Sequence, residues 1–169
     1  EGACYALSDI RAARIGPEHK VLVHGATGAI GSAAVQIIKH LGAQVTATSH
    51  AAHMDLVRSL GADEVIDHTL QDFTTLNKKF DVVFDAVGKS SFGKCKRLLK
   101  DKGIYMSTDL GYMSQNPFLA LITPLLGRKK VLFPIPAIKK EQVNYLKGLV
   151  QAAKYAPLID RTYPLEQMD

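Results

Sequence analysis

The run Val21-Leu22-Val23-His24-Gly25-Ala26-Thr27-Gly28-Ala29-Ile30-Gly31 leaves this chain few ways to fold. A short apolar strand passes directly into glycines, and the glycines pass directly into an apolar-periodic helix. Gly25, Gly28 and Gly31 are spaced by three, and Ala26, Gly28 and Gly31 make an A-x-G-x-x-G form of the dinucleotide fingerprint. Each position has its own physical task. The chain must turn tightly off the strand, the backbone at Gly28 must approach a pyrophosphate with no β-carbon in the way, and Gly31 must let the helix lie against the sheet. The helix start then offers free N–H groups and the positive end of its dipole to phosphate. A glycine triplet alone marks many structural turns; the strand before it and the βαβ pattern after it give it meaning. No G-K-[ST] follows, which argues against a P-loop. The expected pyrophosphate cradle is Gly25, Ala26, Thr27, Gly28, Ala29, Ile30 and Gly31.

The rest of the chain repeats the alternation. Strands are predicted at Val21–His24, Gln44–Thr48, Glu64–Ile66, Asp81–Asp85, Ile104–Thr108 and Lys130–Phe133, with helices near 29–41, 51–60, 69–77, 90–99, 115–126 and 140–153. Ile30, Ala34, Ile37, Ile38 and Leu41 trace one helix face, and Val143, Leu146, Leu149, Val150 and Ala153 trace another. Gly42, Gly61 and Gly103 follow helices, where a left-handed cap suits glycine. Six β runs separated by helices imply an α/β fold: a doubly wound, Rossmann-type parallel sheet of six strands, order 3-2-1-4-5-6.

A chain of 169 residues, 47% hydrophobic and 22% charged, fits one soluble domain spanning 1–169. The net charge of +5 is modest, and the basic runs are broken by apolar residues, so no nucleic-acid partner is expected. No apolar run reaches the length of a membrane span; the greasiest stretch, Pro117–Leu126, is too short and holds Pro124. Cys4 and Cys95 lie far apart without metal spacing and read as free thiols of a reducing compartment, which points to the cytoplasm. The chain begins at Glu1, already in a helix-like segment, and stops at Asp169 without a terminating signal. The expectation is a piece of a longer protein.

An NAD-binding fold usually places Asp or Glu at the end of its second strand, on the adenosine ribose hydroxyls. Here Gln44–Thr48 leads to Ser49 and His50, and the first acid is Asp55, inside the next helix. A missing carboxylate removes repulsion against a 2′-phosphate. Ser49 can donate a hydrogen bond, and His50 and His53 can donate and add charge when protonated. NADP is therefore expected over NAD, although no Lys or Arg stands in the loop itself and the histidines equally suit a solvated helix start.

Four stretches taken together, VLVHGATGAIGSAAVQ (21–36), LVRSLGADEVIDH (56–68), FDVVFDAVG (80–88) and LLKDKGIYMST (98–108), resemble the medium-chain dehydrogenase/reductase family, in particular its quinone oxidoreductase-like branch. The resemblance covers nearly the whole chain. It implies that 1–169 is the cofactor domain of a two-domain enzyme whose GroES-like catalytic domain is absent, with residues 157–169 leading back toward it. It implies that Gly28, Ala29 and Ile30 touch the pyrophosphate and that Ser49, His50 and His53 form the ribose and 2′-phosphate loop. His68 would pack on the adenine, and Ala86, Val87 and Gly88 would line the ribose. Thr108, Asp109 and Leu110, with Phe133, Pro134 and Ile135, would lie near the nicotinamide. Against these stand plain readings: His68 as an exposed loop residue and Phe133 as core.

The resemblance implies hydride transfer to a small-molecule quinone, enone or carbonyl. The cofactor domain of a zinc-dependent alcohol dehydrogenase and a non-catalytic NADPH sensor or structural protein stand as alternatives. No Cys/His cluster has metal spacing, so no metal is expected in this chain. No catalytic residue is assigned: Asp85 and Asp109 sit at strand ends but read as turn or sheet-edge acids. A homodimer through Val131–Phe133 is compatible with the family, while Pro134 and Pro136 equally suit protection of an open edge.

Overall fold

The computed structural model of the chain describes residues 1–135, 138–159 and 164. Pro136 and most of the stretch 157–169 therefore lie outside the described residues. Six strands form one sheet: β1 (Lys20–His24), β2 (Gln44–Ser49), β3 (Glu64–Asp67), β4 (Phe80–Asp85), β5 (Leu99–Ser107) and β6 (Lys130–Leu132). They run parallel in the order β3-β2-β1-β4-β5-β6, as expected of a Rossmann-like α/β fold. Chain order reverses between β1 and β4, whose carboxyl ends meet with His24 opposite Asp85.

Alternation along β1 splits the core in two. Val21 and Val23 face one layer, with Leu7 and Ile10 of α1 (Gly2–Ala12), Ile37 and Ile38 of α2 (Ala29–His40), Val57 of α3 (Met54–Ser59), and Leu146 and Leu149 of α6 (Lys140–Gln151). Leu22 faces the other, with Phe92 and Cys95 of α4 (Phe92–Cys95), Leu98, Tyr105 and Val131. Strands buried on both faces read as continuous apolar runs, which is why β1 and β4 stand out in the sequence.

Two expected helices shrink. The segment 69–77 holds only a 3₁₀ turn at Phe73–Thr75. Asp72 accepts from the amide and hydroxyl of Thr74 (both 2.8 Å), and the Thr75 hydroxyl bonds the Asp72 carbonyl at 2.7 Å. These local bonds compete with helix growth. The segment 90–99 is one turn, α4, and a 3₁₀ turn at Lys96–Leu98. There the chain joins the sheet early, because Leu99 pairs with Phe80 across a register shift. Gly103 consequently lies inside β5; the left-handed residue is its neighbour Lys102 (φ 65°), whereas Gly42 and Gly61 cap their helices at φ 85° and 105°.

Helix α5 (Gln115–Leu126) packs Leu119 and Ala120 on the core but leaves other apolar residues outside. Its buried residues include Asn116 and Thr123, while Phe118, Leu121 and Leu125 are 63%, 73% and 85% exposed. The polar side chains tie it down: Asn116 Nδ2 donates to the Asp109 carbonyl (2.7 Å), and the Val131 amide donates to Thr123 Oγ1 (2.9 Å). Among the described residues, no helix is long and apolar enough to cross a membrane.

Candidate functional site

Gly25 leaves β1 at φ 84°, a backbone state that suits glycine. Its amide donates to Thr48 Oγ1 (3.2 Å), and the Ala26 amide donates to the Thr48 carbonyl (3.1 Å), so the turn is stapled to the end of β2. Helix α2 begins at Ala29, and its first turn carries no acidic residue and no side-chain cap. The first bond it closes runs from the Ser32 amide to the Gly28 carbonyl (2.9 Å), which leaves the Ala29, Ile30 and Gly31 amides without helical acceptors. A β-carbon on Gly28 would meet nothing nearer than the Gly25 carbonyl oxygen at 3.7 Å. That room, at the positive end of a helix whose first three amides lack helical acceptors, suits a diphosphate.

At the end of β2, Ser49 is buried and its hydroxyl donates to the His50 carbonyl (3.1 Å). His50 is exposed, and its Nδ1 accepts from the Ala52 amide (3.2 Å), capping the 3₁₀ turn Ala51–His53. His53 reaches the glycine turn, lining with Thr27, Ala29, Ser32 and Leu56 a cavity of about 640 Å³. Arg58, the nearest guanidinium along the chain, pairs with Asp55 at 2.7 Å. The loop thus presents histidines as its donors.

His68 follows β3 and is exposed. Asp67 beside it accepts from the hydroxyl (2.6 Å) and amide (2.9 Å) of Thr69, and these bonds hold its carboxyl below the usual range. Two rings absent from the sequence reading stand next to it. His24 stacks on Phe73 (centroids 4.4 Å, 29° between planes) and meets His68 edge-on at 6.3 Å. His24 Nδ1 lies 2.7 Å from Thr48 Oγ1, and burial pulls its pKa below the ordinary imidazole value. The position of His24, one residue before the first glycine, was the available signal; Phe73 was hidden in a segment read as helix.

The loop after β4 closes against the turn. The Ala86 amide donates to the His24 carbonyl (3.0 Å). The Val87 methyls stand where a β-carbon on Gly25 would be, and Gly88 (φ 65°) lies against the Asp109 side chain. Thr108 and Leu110 are exposed after β5, and Asp109 Oδ1 accepts from the Gly111 amide at 2.7 Å. Phe133 and Pro134 are half-buried and Ile135 is exposed beyond β6, one strand further along the same sheet end. Asp85 is fully buried and accepts from the Val87 amide (3.3 Å), the Ser90 amide (2.8 Å) and the Tyr105 hydroxyl (3.2 Å).

A larger cavity, about 730 Å³, opens at the opposite ends of the strands around Lys20, Thr46, Glu64, Lys78 and Lys100. Lys78 is neutralised by Glu64 (2.6 Å) and Lys100 by Asp81 (2.7 Å), and ligands of such sheets bind beyond the carboxyl ends, so the glycine turn is the candidate site. Among the described residues, no three His, Cys, Asp or Glu side chains cluster as a metal site.

A family profile described as zinc-binding dehydrogenase matches residues 60–169. The chloroplast envelope quinone oxidoreductase homolog of Arabidopsis thaliana is 30% identical over 159 residues, covering 91% of this chain and 48% of that protein. The NADPH-dependent alkenal/one oxidoreductase of the same plant is 40% identical over 85 residues, 49% of this chain and 22% of its own length. The structure of the quinone oxidoreductase from Coxiella burnetii overlays with a TM-score of 0.83 over 95% of this chain and 50% of its own, at 23% identity, a likeness of fold. The chain belongs to the medium-chain dehydrogenase/reductase family. The two plant relatives are oxidoreductases, and the dehydrogenase family implies a nicotinamide cofactor. It spans about half the length of the quinone oxidoreductase relatives.

Proposed function

We propose that residues 1–169 are the NADP(H)-binding domain of an oxidoreductase that passes a hydride to a quinone, enone or carbonyl compound. In this reading the GroES-like catalytic domain is a separate part of the enzyme, consistent with the half-length match to relatives. The observation that carries the reading is the glycine turn: the first three amides of α2 have no partners among the described residues, and Gly28 before them has room for a β-carbon. NADP is favoured because β2 ends in Ser49 and not in a carboxylate, and because a relative named for NADPH matches half the chain.

When bound, the reduced nicotinamide supplies the hydride; the chain's own residues bind and orient it. Gly28–Gly31 hold the diphosphate, His50 and His53 meet the 2′-phosphate beside the buried Ser49, His68 covers the adenine, and Ala86–Gly88 line the ribose. Thr108–Leu110 and Phe133–Ile135 flank the nicotinamide. Asp85 and Asp109 are occupied by backbone amides, so neither is assigned a proton transfer. A homodimer contact is read at β6, the last strand of the sheet, together with the exposed apolar residues of α5. The buried, unpaired thiols of Cys4 and Cys95 suit a reducing compartment such as the cytoplasm.

Calorimetry of this chain with NADPH and NADH tests the assignment. NADPH should bind more tightly, and Ser49→Asp should reverse the order. Tighter NADH binding by the unaltered chain overturns the preference, and binding of neither overturns the function.

A further inference from the structure

A carboxylate with no exposed surface is costly unless its lone pairs are satisfied. Asp85 ends β4 between His24 of β1 and Ser107 of β5, at the point where chain order reverses. Its donors are the amides of Val87 (3.3 Å) and Ser90 (2.8 Å) and the phenol of Tyr105 (3.2 Å), a buried side chain on β5. No ion pair with Asp85 occurs among the described residues. The charge is therefore held by the loop it folds. At its far end, Ser90 Oγ also contacts Cys95 Sγ at 3.2 Å.

The outer side of that loop belongs to the candidate site. Val87 abuts Gly25 of the phosphate turn, and Gly88, left-handed at φ 65°, abuts Asp109. The loop that this buried carboxylate folds therefore touches the loops after β1 and β5. In a sheet of this order the adenosine half of a dinucleotide lies over β2 and the nicotinamide half over β4 and β5. We propose that Asp85 and Tyr105 are positioning residues for the nicotinamide half of the cofactor, acting through the loop Ala86–Ser90. The proposal rests on the cofactor reading above. It assigns no contact between either side chain and the ligand; both act through the backbone they hold.

The test is calorimetry of this chain, and of its Tyr105→Phe and Asp85→Asn variants, with two ligands: NADPH and adenosine 2′,5′-bisphosphate, which lacks the nicotinamide half. Tyr105→Phe keeps the ring and its packing and removes one bond to a charged acceptor. It should weaken NADPH about tenfold and leave the bisphosphate within about twofold. Asp85→Asn should shift the two ligands in the same unequal way; if it does not fold, Tyr105→Phe decides. Unchanged NADPH affinity in folded Tyr105→Phe overturns the proposal. So does an equal loss for both ligands, which a merely structural role would produce. If the unaltered chain binds neither ligand, the cofactor reading fails and the proposal falls with it, an outcome distinct from the other two.

Discussion

The carbonyl oxygen of Gly25 occupies the space that a β-carbon on Gly31 would need. A β-carbon on Gly28, three residues earlier, would stand no closer than 3.7 Å to that same oxygen. Two glycines of one motif therefore do different work, one for packing and one for the ligand. Gly31→Ala should push α2 away from the turn and destabilise the chain by about 1–3 kcal/mol, the ordinary range for overpacking. Gly28→Asp should do the reverse. A carboxylate at the N-cap, beside the positive end of the helix dipole, should stabilise the chain by up to about 1 kcal/mol while repelling a diphosphate. Thermal unfolding and NADPH titration of both variants check the pair. Retained NADPH binding in folded Gly28→Asp would remove that residue from the site.

Asp9 on α1 is buried, and burial alone raises its carboxyl pKa to about 7. The folded chain then keeps a proton that the unfolded chain, with an ordinary value of 3.8, has released. Between about pH 4 and pH 7 the native state binds more protons, so stability falls as pH rises through this window and is level above it. The loss is at most about 4 kcal/mol. Asp9→Asn removes the titration. Its melting temperature should exceed that of the unaltered chain at pH 8 and match it at pH 4. A lower melting temperature at pH 8 would mean that the ionised carboxylate is satisfied in the fold.

How far the sequence could be read follows from which interactions are local. The runs 21–24 and 81–85 were legible as strands because both faces of a central strand are buried. The glycine turn was legible because its spacing is itself the geometry. Segment 69–77 misled because Asp72, Thr74 and Thr75 spend their hydrogen bonds on one another, a choice invisible to apolar periodicity. The aromatic wall of His24, Phe73 and His68 joins three separate elements, so no spacing within one element could reveal it. Asp85 was legible as a turn acid, but its partner Tyr105 comes from the neighbouring strand, and only the register brings the two together.

Both thiols are buried, and burial pushes Cys95 up to about 11. The thiolate is the reactive species, so alkylation of Cys95 should be slow twice over, for want of access and for want of ionisation. At pH 8 the native chain should resist iodoacetamide at both cysteines, and denaturant should release both. Rapid labelling of Cys95 in the folded chain would show that the Ser90–Cys95 end of the loop opens, and with it the loop held by Asp85.

Phe118, Leu121 and Leu125 make an apolar stripe on the outer side of α5, where solvent-facing residues are expected to be polar. The inward side packs Leu119 and Ala120 on the core and is held by hydrogen bonds from and to Asn116 and Thr123, so the stripe is not what docks the helix on its own sheet. Charges placed on it should leave the fold intact. The double substitution Leu121→Lys and Leu125→Lys should change the melting temperature by only a few degrees, since surface changes of this kind stay within about 0.5 kcal/mol each. If the stripe and the edge of β6 form the homodimer contact, sedimentation should show the unaltered chain as a dimer and the double variant as a monomer. A dimer that survives both lysines places the contact elsewhere, and an unaltered chain that sediments as a monomer removes the dimer from the proposed function.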